Sequence, residues 1–273
     1  MRERLCFKLQ GQRLGIGPAK CYFCRLGISW NQAYRETMNA PARIRADTVP
    51  IGIGFYTIPE AARLLRIPAR NIKRWLGGYT HRNNGLSVDI PPLWTPQLPR
   101  FGNQIELGFR DLIELRFVQA FINAGLGLKS IRHLIETARA CVKDERPFST
   151  SRFQTDGRTI FLDTINQFGE AELLDLKKRQ YTMKHVIERT FKDLDFGDDA
   201  VMLWRPFQGK NTIVIDPNRA FGQPILADYG VSTIALAQAA KAEGSVGRAA
   251  QIFEVPTGVA REAVKFEDFL LAA

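Results

Sequence analysis

The stretch from Tyr56 to Leu76 constrains the fold more than any other, because it contains two short helical patterns separated by a proline. Thr57 can cap the first helix, and Glu60 follows it at the spacing of a capping box. Ile67-Pro68 ends that helix, since the residue before a proline is pushed out of the α region. In the second pattern, apolar residues at i, i+3 and i+4 predict one buried face: Ile72, Trp75 and Leu76. Two short helices joined by a tight turn are therefore expected.

The outward face of the second helix is basic and polar, and consists of Arg70, Asn71, Lys73 and Arg74. Arginine and lysine can donate to guanine or to phosphates, and asparagine can pair with adenine, so this face suits a DNA major groove. The alternative is a solvated basic surface, which is what most runs of charge are. Capping, spacing and charge together favour a DNA-binding helix-turn-helix. The complete predicted DNA-binding set is Arg63, Arg66, Arg70, Asn71, Lys73, Arg74, His81 and Arg82.

The chain has 273 residues and a net charge of +10, and this charge is unevenly distributed. Residues 55–85 contain six Lys or Arg and one acidic residue, whereas residues 226–273 contain four basic and six acidic residues. A local excess of positive charge favours a polyanionic partner. We therefore expect double-stranded DNA to bind the first region and not the second.

Residues 1–50 are basic, rich in Gly and Arg, and without sustained periodicity, so a disordered tail is expected. Cys21 and Cys24 form a CxxC with Cys6 upstream, but a zinc site needs four ligands and no second pair follows. Neither a metal nor a cofactor is predicted, and four cysteines placed in this way do not form a disulfide framework. No apolar run approaches the roughly 20 residues that span a bilayer, and no signal peptide is recognisable, so a cytoplasmic protein without a membrane partner is expected.

Residues 51–145 are predicted to form a helix-turn-helix domain with a wing. Turn residues fill Gly77–Gly85, and short apolar runs among the prolines of Leu86–Gln104 indicate a β-hairpin or an irregular wing. Helical periodicity then extends over 106–143 and is broken at 125–127 by two glycines. Two helices should therefore follow the wing.

Residues 146–220 predict a small mixed α/β connector. Phe153–Leu162 is interpreted as a strand, an Asp-Gly turn and a strand, and a second hairpin is expected around Gly209–Asn211. Residues 221–273 instead predict three helices with another proline break, at Val255-Pro256. The predicted fold class is thus mainly α with small β elements: an N-terminal winged helix-turn-helix, an α/β connector and a C-terminal three-helix domain similar to a helix-turn-helix.

The order of these segments resembles that of the MerR-like VapB antitoxins of bacteria. The first part is similar to the winged helix-turn-helix of the MerR group, and the last part is similar to a small helical domain of VapB-type antitoxins. The segments that carry the resemblance are Tyr56–Trp75, Leu112–Phe121 and Gly127–Arg132, then Asp216–Ile225, Gly230–Thr233 and Glu243–Val246. Effector-sensing MerR regulators have a long dimerisation helix, whereas here the helix after Lys129 ends near Lys143. Sensing of a small molecule or metal is therefore not expected.

The resemblance implies an antitoxin of a type II toxin–antitoxin system, which represses its own operon and neutralises a PIN-type ribonuclease toxin. Such a toxin holds its metal with carboxylates, and arginine pairs well with carboxylates. Arg205 and Arg219 are therefore candidate toxin-binding residues, with ordinary surface arginines as the alternative. A homodimer or a toxin–antitoxin hetero-oligomer is expected, and the C-terminal helices are the favoured dimer interface because they are expected to expose Phe266, Phe269 and Leu270.

Two other functions stay open. A stand-alone MerR-like transcription regulator would use the same DNA-binding domain without a toxin partner. An enzyme or metalloprotein would use the CxxC or the carboxylates of Asp193, Asp195, Asp198 and Asp199, for which a solvated loop is the simpler interpretation. No GxSxG, HExxH, P-loop or GxGxxG motif occurs, so no enzyme is predicted.

Overall fold

The computed structural model describes residues 52–83, 86–100, 102, 104–166 and 185–272. Residues Pro50–Ala273 form one compact unit. The expected N-terminal tail and its CxxC lie outside the described residues. The division of the chain into functional parts at residues 145 and 220 stays a prediction.

The described residues are mainly helical with small antiparallel sheets, as the sequence predicts. The helices are α1 (Ile58–Leu65), α2 (Ala69–Gly77), α3 (Phe109–Asn123), α4 (Leu128–Val142), α5 (Ser151–Asn166), α6 (185–191), α7 (Thr233–Ala242), α8 (Val246–Ile252) and α9 (Thr257–Leu271). The strands are β1 (Tyr56–Thr57), β2 (Tyr79–Asn83), β3 (Leu86–Ile90), β4 (Glu106–Leu107), β5 (Leu194–Phe196), β6 (Val201–Trp204), β7 (Ile213–Val214) and β8 (Ile225–Leu226). They pair as β1 with β4, β2 with β3, β5 with β6 and β7 with β8, each pair antiparallel. Among the described residues, no helix combines the length and the apolar character that crossing a bilayer requires.

The helix pair α1–α2 begins with the predicted capping box. The N–H and the hydroxyl of Thr57 both donate to Glu60 Oε2 at 2.8 Å, and the Glu60 N–H donates to Thr57 Oγ1 at 3.4 Å. After α1, Arg66 has a left-handed φ of 56°, and the Ile67 N–H donates to the Ala62 carbonyl at 3.1 Å. Both helices and the tight turn between them are confirmed.

The hairpin that follows α2 lies earlier in the chain than expected. β2 and β3 pair in register from Tyr79 opposite Ile90 to Asn83 opposite Leu86, and Asn84-Gly85 lies between them in the sequence. The residues interpreted as a turn therefore form the first strand. Asn-Gly favours two-residue hairpin loops, so this dipeptide is the local signal in the sequence for a hairpin at this position.

The centre of the core is a cluster of aromatic rings around α3. The Phe117 ring lies 4.9 to 6.0 Å, centroid to centroid, from the rings of Phe121, Phe148, Phe153 and Phe191. These residues belong to α3, α5, α6 and the turn before α5. The helices behind the wing and the connector therefore share one core, and burial of these rings is a main contribution to its stability.

The expected pair of strands after Thr150 is wrong, because Ser151–Asn166 form the single helix α5. Thr150 Oγ1 accepts from the Phe153 N–H at 3.0 Å, which is a capping signal that the sequence interpretation missed. Asp156-Gly157 lies within the helix and not in a turn. Phe153 and Ile160, two turns apart, are both buried, and this packing outweighs the turn propensity of Asp-Gly.

The second expected hairpin has different partners from those predicted. β6 pairs with β5, and β7 pairs with β8. An antiparallel bridge between Trp204 and Ile215 joins the segments on the two sides of the expected turn at Gly209–Asn211. Turn residues located these strands approximately, but tertiary packing selects their partners.

The three predicted C-terminal helices are confirmed as α7, α8 and α9, which we call the C-terminal trio. Ser245 caps α8 by accepting from the Arg248 N–H at 3.3 Å. Phe266 and Leu270 are buried, so the expectation that they are exposed is wrong, whereas Phe269 is 39% exposed. The spacing i, i+4 of the two buried residues is that of a stripe facing a core, here the packing of α9 against α7 and α8.

Candidate nucleic-acid interface

The outer face of α2 presents a row of basic side chains, and the inner face of the same helix is buried in the core. The residues of its inner face are at most 5% exposed: Ile72, Trp75 and Leu76. On the outer face Arg70, Lys73 and Arg74 are exposed and Asn71 is half-buried. Because α2 contains no acidic residue, no carboxylate of the same helix neutralises this row.

Arg74 connects the row to the hairpin. Its guanidinium carbon lies 3.8 Å from the centroid of the Tyr79 ring, at the start of β2. A cation over the face of an aromatic ring is attracted by the ring quadrupole. The last turn of α2 and the first residue of the hairpin are therefore held together.

The β2–β3 hairpin extends into water with residues of both faces exposed. His81 and Arg82 on β2 are exposed, and so are Ser87 and Val88 opposite them on β3. Gly78 makes the turn from α2 into this hairpin with a φ of 72°, and a β-carbon there would approach the Ile90 carbonyl oxygen to 2.8 Å. The exit from α2 therefore requires glycine.

A buried carboxylate fixes the segment that follows the hairpin. Asp111 on α3 is fully buried and accepts from Trp94 Nε1 at 3.0 Å, from the Gln97 N–H at 2.7 Å and from the Gly108 N–H at 2.9 Å. Arg146 completes the group with an ion pair of 2.7 Å. A buried charge is tolerated only when it is paired and hydrogen-bonded, so these four donors account for its position.

A second buried carboxylate lies one turn further along α3. Burial raises the pKa of Glu114 to about 8, although the Ser149 N–H, which donates to Glu114 Oε1 at 2.8 Å, and the nearby Arg110 act in the opposite direction. The helix that holds the segment after the hairpin therefore contains a carboxyl group whose pKa burial raises well above its ordinary value.

Two residues of the predicted DNA-binding set face the C-terminal trio. Arg63 forms an ion pair of 2.8 Å with Glu267, and the guanidinium carbon of Arg66 lies 4.4 Å from the centroid of the Phe269 ring. Positive charge in α1 was the sequence signal for both arginines. Glu267 and Phe269 were missed as their partners because no local pattern links residues about 200 positions apart.

The two predicted toxin-binding arginines have acceptors within the chain. Arg205 forms an ion pair with Asp195, and its backbone N–H donates to the Asp193 carbonyl at 2.8 Å. Arg219 Nη2 donates to the Ala227 carbonyl at 2.9 Å. A role for either residue in toxin binding stays a prediction.

The aspartates that suggested a metal site are partly used by arginines. Asp193 pairs with Arg116 at 2.5 Å and accepts from Trp204 Nε1 at 3.3 Å, and Asp195 pairs with Arg205. In the part of the chain that the structure describes, no three or more His, Cys, Asp or Glu side chains are grouped so as to hold a metal ion.

Comparison with known proteins finds similarity to a named relative and to a solved structure. No protein-family model matches the chain. The chain is 29% identical over 192 residues to the protein named "Putative antitoxin VapB45" of Mycobacterium tuberculosis (strain ATCC 25618 / H37Rv), a match that covers 66% of this chain and 79% of that protein. It is also similar to the crystal structure of Rv2018 from Mycobacterium tuberculosis, with a TM-score of 0.61 and 23% identity, over 77% of this chain and 96% of the other. The structural similarity indicates a shared fold.

Proposed function

We propose that this chain is a VapB-type antitoxin that binds operator DNA and neutralises a cognate PIN-type toxin in the cytoplasm, with no enzymatic activity of its own. The similarity to a protein named an antitoxin supports the general class. The two binding activities rest on different parts of the chain and are tested separately.

In this proposal α1, α2 and the β2–β3 hairpin form a winged helix-turn-helix of the MerR type. The observation that carries it is the row Arg70, Asn71, Lys73 and Arg74 on α2, which has no acidic neighbour on its helix and is backed by buried Trp75. Arg70 and Asn71 would contact base edges, and Lys73 would contact a phosphate. His81 and Arg82 on the hairpin would contact the backbone beside the groove.

Binding to a duplex selected by the wild-type chain from a random pool tests the DNA-binding half. Alanine at Arg70 or Asn71 should cost about 1–3 kcal/mol and relax the sequence preference, as expected for a lost base contact. Alanine at Lys73 should weaken binding to all sequences and reduce the dependence on salt concentration. Alanine at Arg248, an exposed arginine of the C-terminal trio, is the matched control. If the three α2 variants bind as the wild type does, the assignment of α2 is wrong.

The toxin-binding half is assigned to residues 146–273, where the charge is less positive than on α2 and the resemblance to antitoxin helical domains lies. The test is co-expression of the full chain with the product of the neighbouring gene, followed by purification through a tag on that product. A stoichiometric complex and rescue of growth support the proposal. DNA binding without such a complex would instead identify a stand-alone transcription regulator.

We further propose a homodimer, because operators with two half-sites are normally bound by two-fold dimers. Phe266 and Leu270 are buried within the protomer and cannot contribute to that interface without rearrangement. Light scattering of the full chain with and without DNA measures the oligomeric state. A monomer in both conditions would contradict the proposal.

A further inference from the structure

Helix α9 of the C-terminal trio packs against α1, the first helix of the proposed DNA-binding unit. The link is a buried acid: Glu267 is 5% exposed and accepts from Arg63 Nη1 at 2.8 Å and from Thr233 Oγ1 at 2.5 Å. The charge of Arg63 is therefore compensated inside the protein. A cation that is already paired with a buried carboxylate adds little to the attraction of a phosphate, because releasing it would leave that carboxylate unpaired.

Arg66 is in a different situation, although it belongs to the same end of α1. Its side chain is exposed and its guanidinium lies over the Phe269 ring at 4.4 Å, so the ring restricts the side chain without neutralising its charge. Arg66 also has a left-handed φ of 56° at the C-cap of α1, where glycine is the favoured residue. Because an arginine here is less favourable for the backbone than glycine, its side chain is a candidate for a functional role.

Arg66 lines a groove of about 450 Å³ at the junction of α1, α2 and α9. The groove is bounded by Pro68 and Ala69 at the start of α2 and by Leu270 of α9. Arg70 follows Ala69 on α2, so the groove adjoins the proposed base-reading row. In helix-turn-helix proteins the first helix crosses the DNA backbone beside the major groove.

We infer that α9 is part of the DNA-binding unit: Phe269 holds Arg66 against a DNA phosphate, while Glu267 keeps Arg63 away from the DNA and fixes α1 in place. Phe269 and Glu267 are positioning residues and do not touch the nucleic acid. This inference rests on the proposed DNA-binding function and extends the binding surface to a helix outside the helix pair.

The salt dependence of binding to the selected duplex separates the two arginines. Replacing Arg66 with alanine should reduce the slope of log K against log salt by about 0.9, which is the value for one phosphate contact. The double variant Arg63→Met with Glu267→Gln removes both members of the buried pair and leaves no unpaired charge. It should keep the wild-type slope. Its melting temperature is measured in parallel, so that loss of folding is recognised.

The role of Phe269 is tested by a double-mutant cycle in the full chain. Phe269→Leu should weaken binding about threefold with the wild-type salt slope, since Arg66 remains but is held less firmly. In the Arg66→Ala background, the same change should have no effect. Leu271→Ala, at a residue of α9 that is 75% exposed, is the control and should bind as the wild type does.

Three results would overturn the inference. A salt slope that falls when the Arg63–Glu267 pair is neutralised would show that Arg63 contacts a phosphate. An equal effect of Phe269→Leu with and without Arg66 would show that Phe269 acts by another route. An unchanged slope for Arg66→Ala would remove the phosphate contact itself. A wild-type chain that selects no duplex would instead overturn the proposed function, so the two failures are distinguishable.

Discussion

The turn between α1 and α2 and the turn between α8 and α9 have the same backbone construction. In Arg66-Ile67-Pro68 and in Glu254-Val255-Pro256, the first residue is left-handed, with φ of 56° and 53°, and the proline is the N-cap of the next helix. The middle residue is buried in both turns and donates its N–H to the carbonyl five residues earlier, at 3.1 Å and 2.9 Å. Two helix pairs of one chain thus use one turn geometry.

The side chains that these two turns present are of opposite character. Helix α2 has three basic and no acidic residues, whereas α9 has two basic and three acidic residues. The left-handed position is occupied by Arg66 in the first turn and by Glu254 in the second. Turn geometry therefore identifies a compact helix pair but does not indicate what the pair binds. The charge on the outer face distinguishes α2, the candidate DNA-binding helix, from α9.

The largest effect is expected from reversing the charge on the outer face of α2. The double variant Arg70→Glu and Lys73→Glu should weaken DNA binding by about 1000-fold, because two contacts are lost and two repulsive charges are added. Lys241→Glu with Arg248→Glu changes the net charge by the same amount on exposed residues of the C-terminal trio outside α9. This control should change binding only slightly. Equal losses in a gel-shift titration would mean that net charge, and not the α2 surface, governs binding.

The next effect concerns the pH dependence of folding stability, through Glu114 on α3. The pKa of Glu114 is raised to about 8 in the folded chain from an ordinary value of 4.5, so the fold favours the protonated carboxyl. The stability contributed by this group is complete below about pH 4.5 and is lost as pH rises to about 8, by about 1.4 kcal/mol for each pH unit.

Glu114→Gln removes this titration, so its unfolding free energy should rise relative to the wild type between pH 5 and pH 8. Urea denaturation at several pH values measures the difference. Glu243→Gln, at an exposed position, is the control and should follow the wild type. A constant difference between Glu114→Gln and the wild type across that range would show that the carboxyl has an ordinary pKa.

Gly222 ties the start of the first helix pair to the segment that precedes the C-terminal trio. The Tyr56 hydroxyl donates to the Gly222 carbonyl at 2.6 Å, and Gly222 has a φ of 78°. A β-carbon there would overlap the Tyr56 hydroxyl. Gly222→Ala should therefore lower the unfolding free energy by about 2–4 kcal/mol, through overpacking and backbone strain together.

Gly244→Ala separates the two causes. Gly244 also has a positive φ, 62°, but a β-carbon would meet no atom within 4 Å. Strain alone should cost about 1 kcal/mol there. Chemical denaturation of both variants gives the comparison, and equal losses would mean that the contact with Tyr56 adds nothing.

Much of the fold was predictable where the signal is local. The capping box of Thr57 and Glu60, the proline breaks and the i, i+3, i+4 spacing in α2 each depend on residues within one or two helical turns. The sequence predicted those elements correctly. The candidate row on α2 follows directly from that spacing, because burying one face of a short helix determines which residues lie on the other.

The failures occurred where distant residues decide the outcome. Asp156-Gly157 favours a turn locally, yet packing of Phe153 against rings from α3 and α6 makes the segment helical. The ion pair of Arg63 with Glu267 joins residues 204 positions apart, and no periodicity within either helix announces it. Two arginines that look equally available for DNA in the sequence can therefore differ in the folded chain, because tertiary packing gives one of them an internal partner.

The smallest effect on stability, and the sharpest comparison of the two turns, comes from placing glycine at their left-handed positions. Arg66→Gly and Glu254→Gly each relieve the strain of a non-glycine residue at positive φ, which is worth about 1 kcal/mol. Arg66→Gly also loses the stacking on Phe269, worth about 0.5–1 kcal/mol, so its melting temperature should stay close to that of the wild type. Glu254 is exposed, and its replacement should raise the melting temperature slightly.

DNA binding should weaken in only one of these two variants. Arg66→Gly should bind more weakly and with a smaller salt slope, because a phosphate contact is lost while the fold is intact. Glu254→Gly should bind as the wild type does or slightly more tightly, since it removes a negative charge. Thermal unfolding and salt-dependent titration of both variants test this directly. Equal DNA affinity and an equal salt slope for the two variants would mean that the Arg66 side chain makes no phosphate contact. The two turns would then differ in charge but not in their contribution to DNA binding.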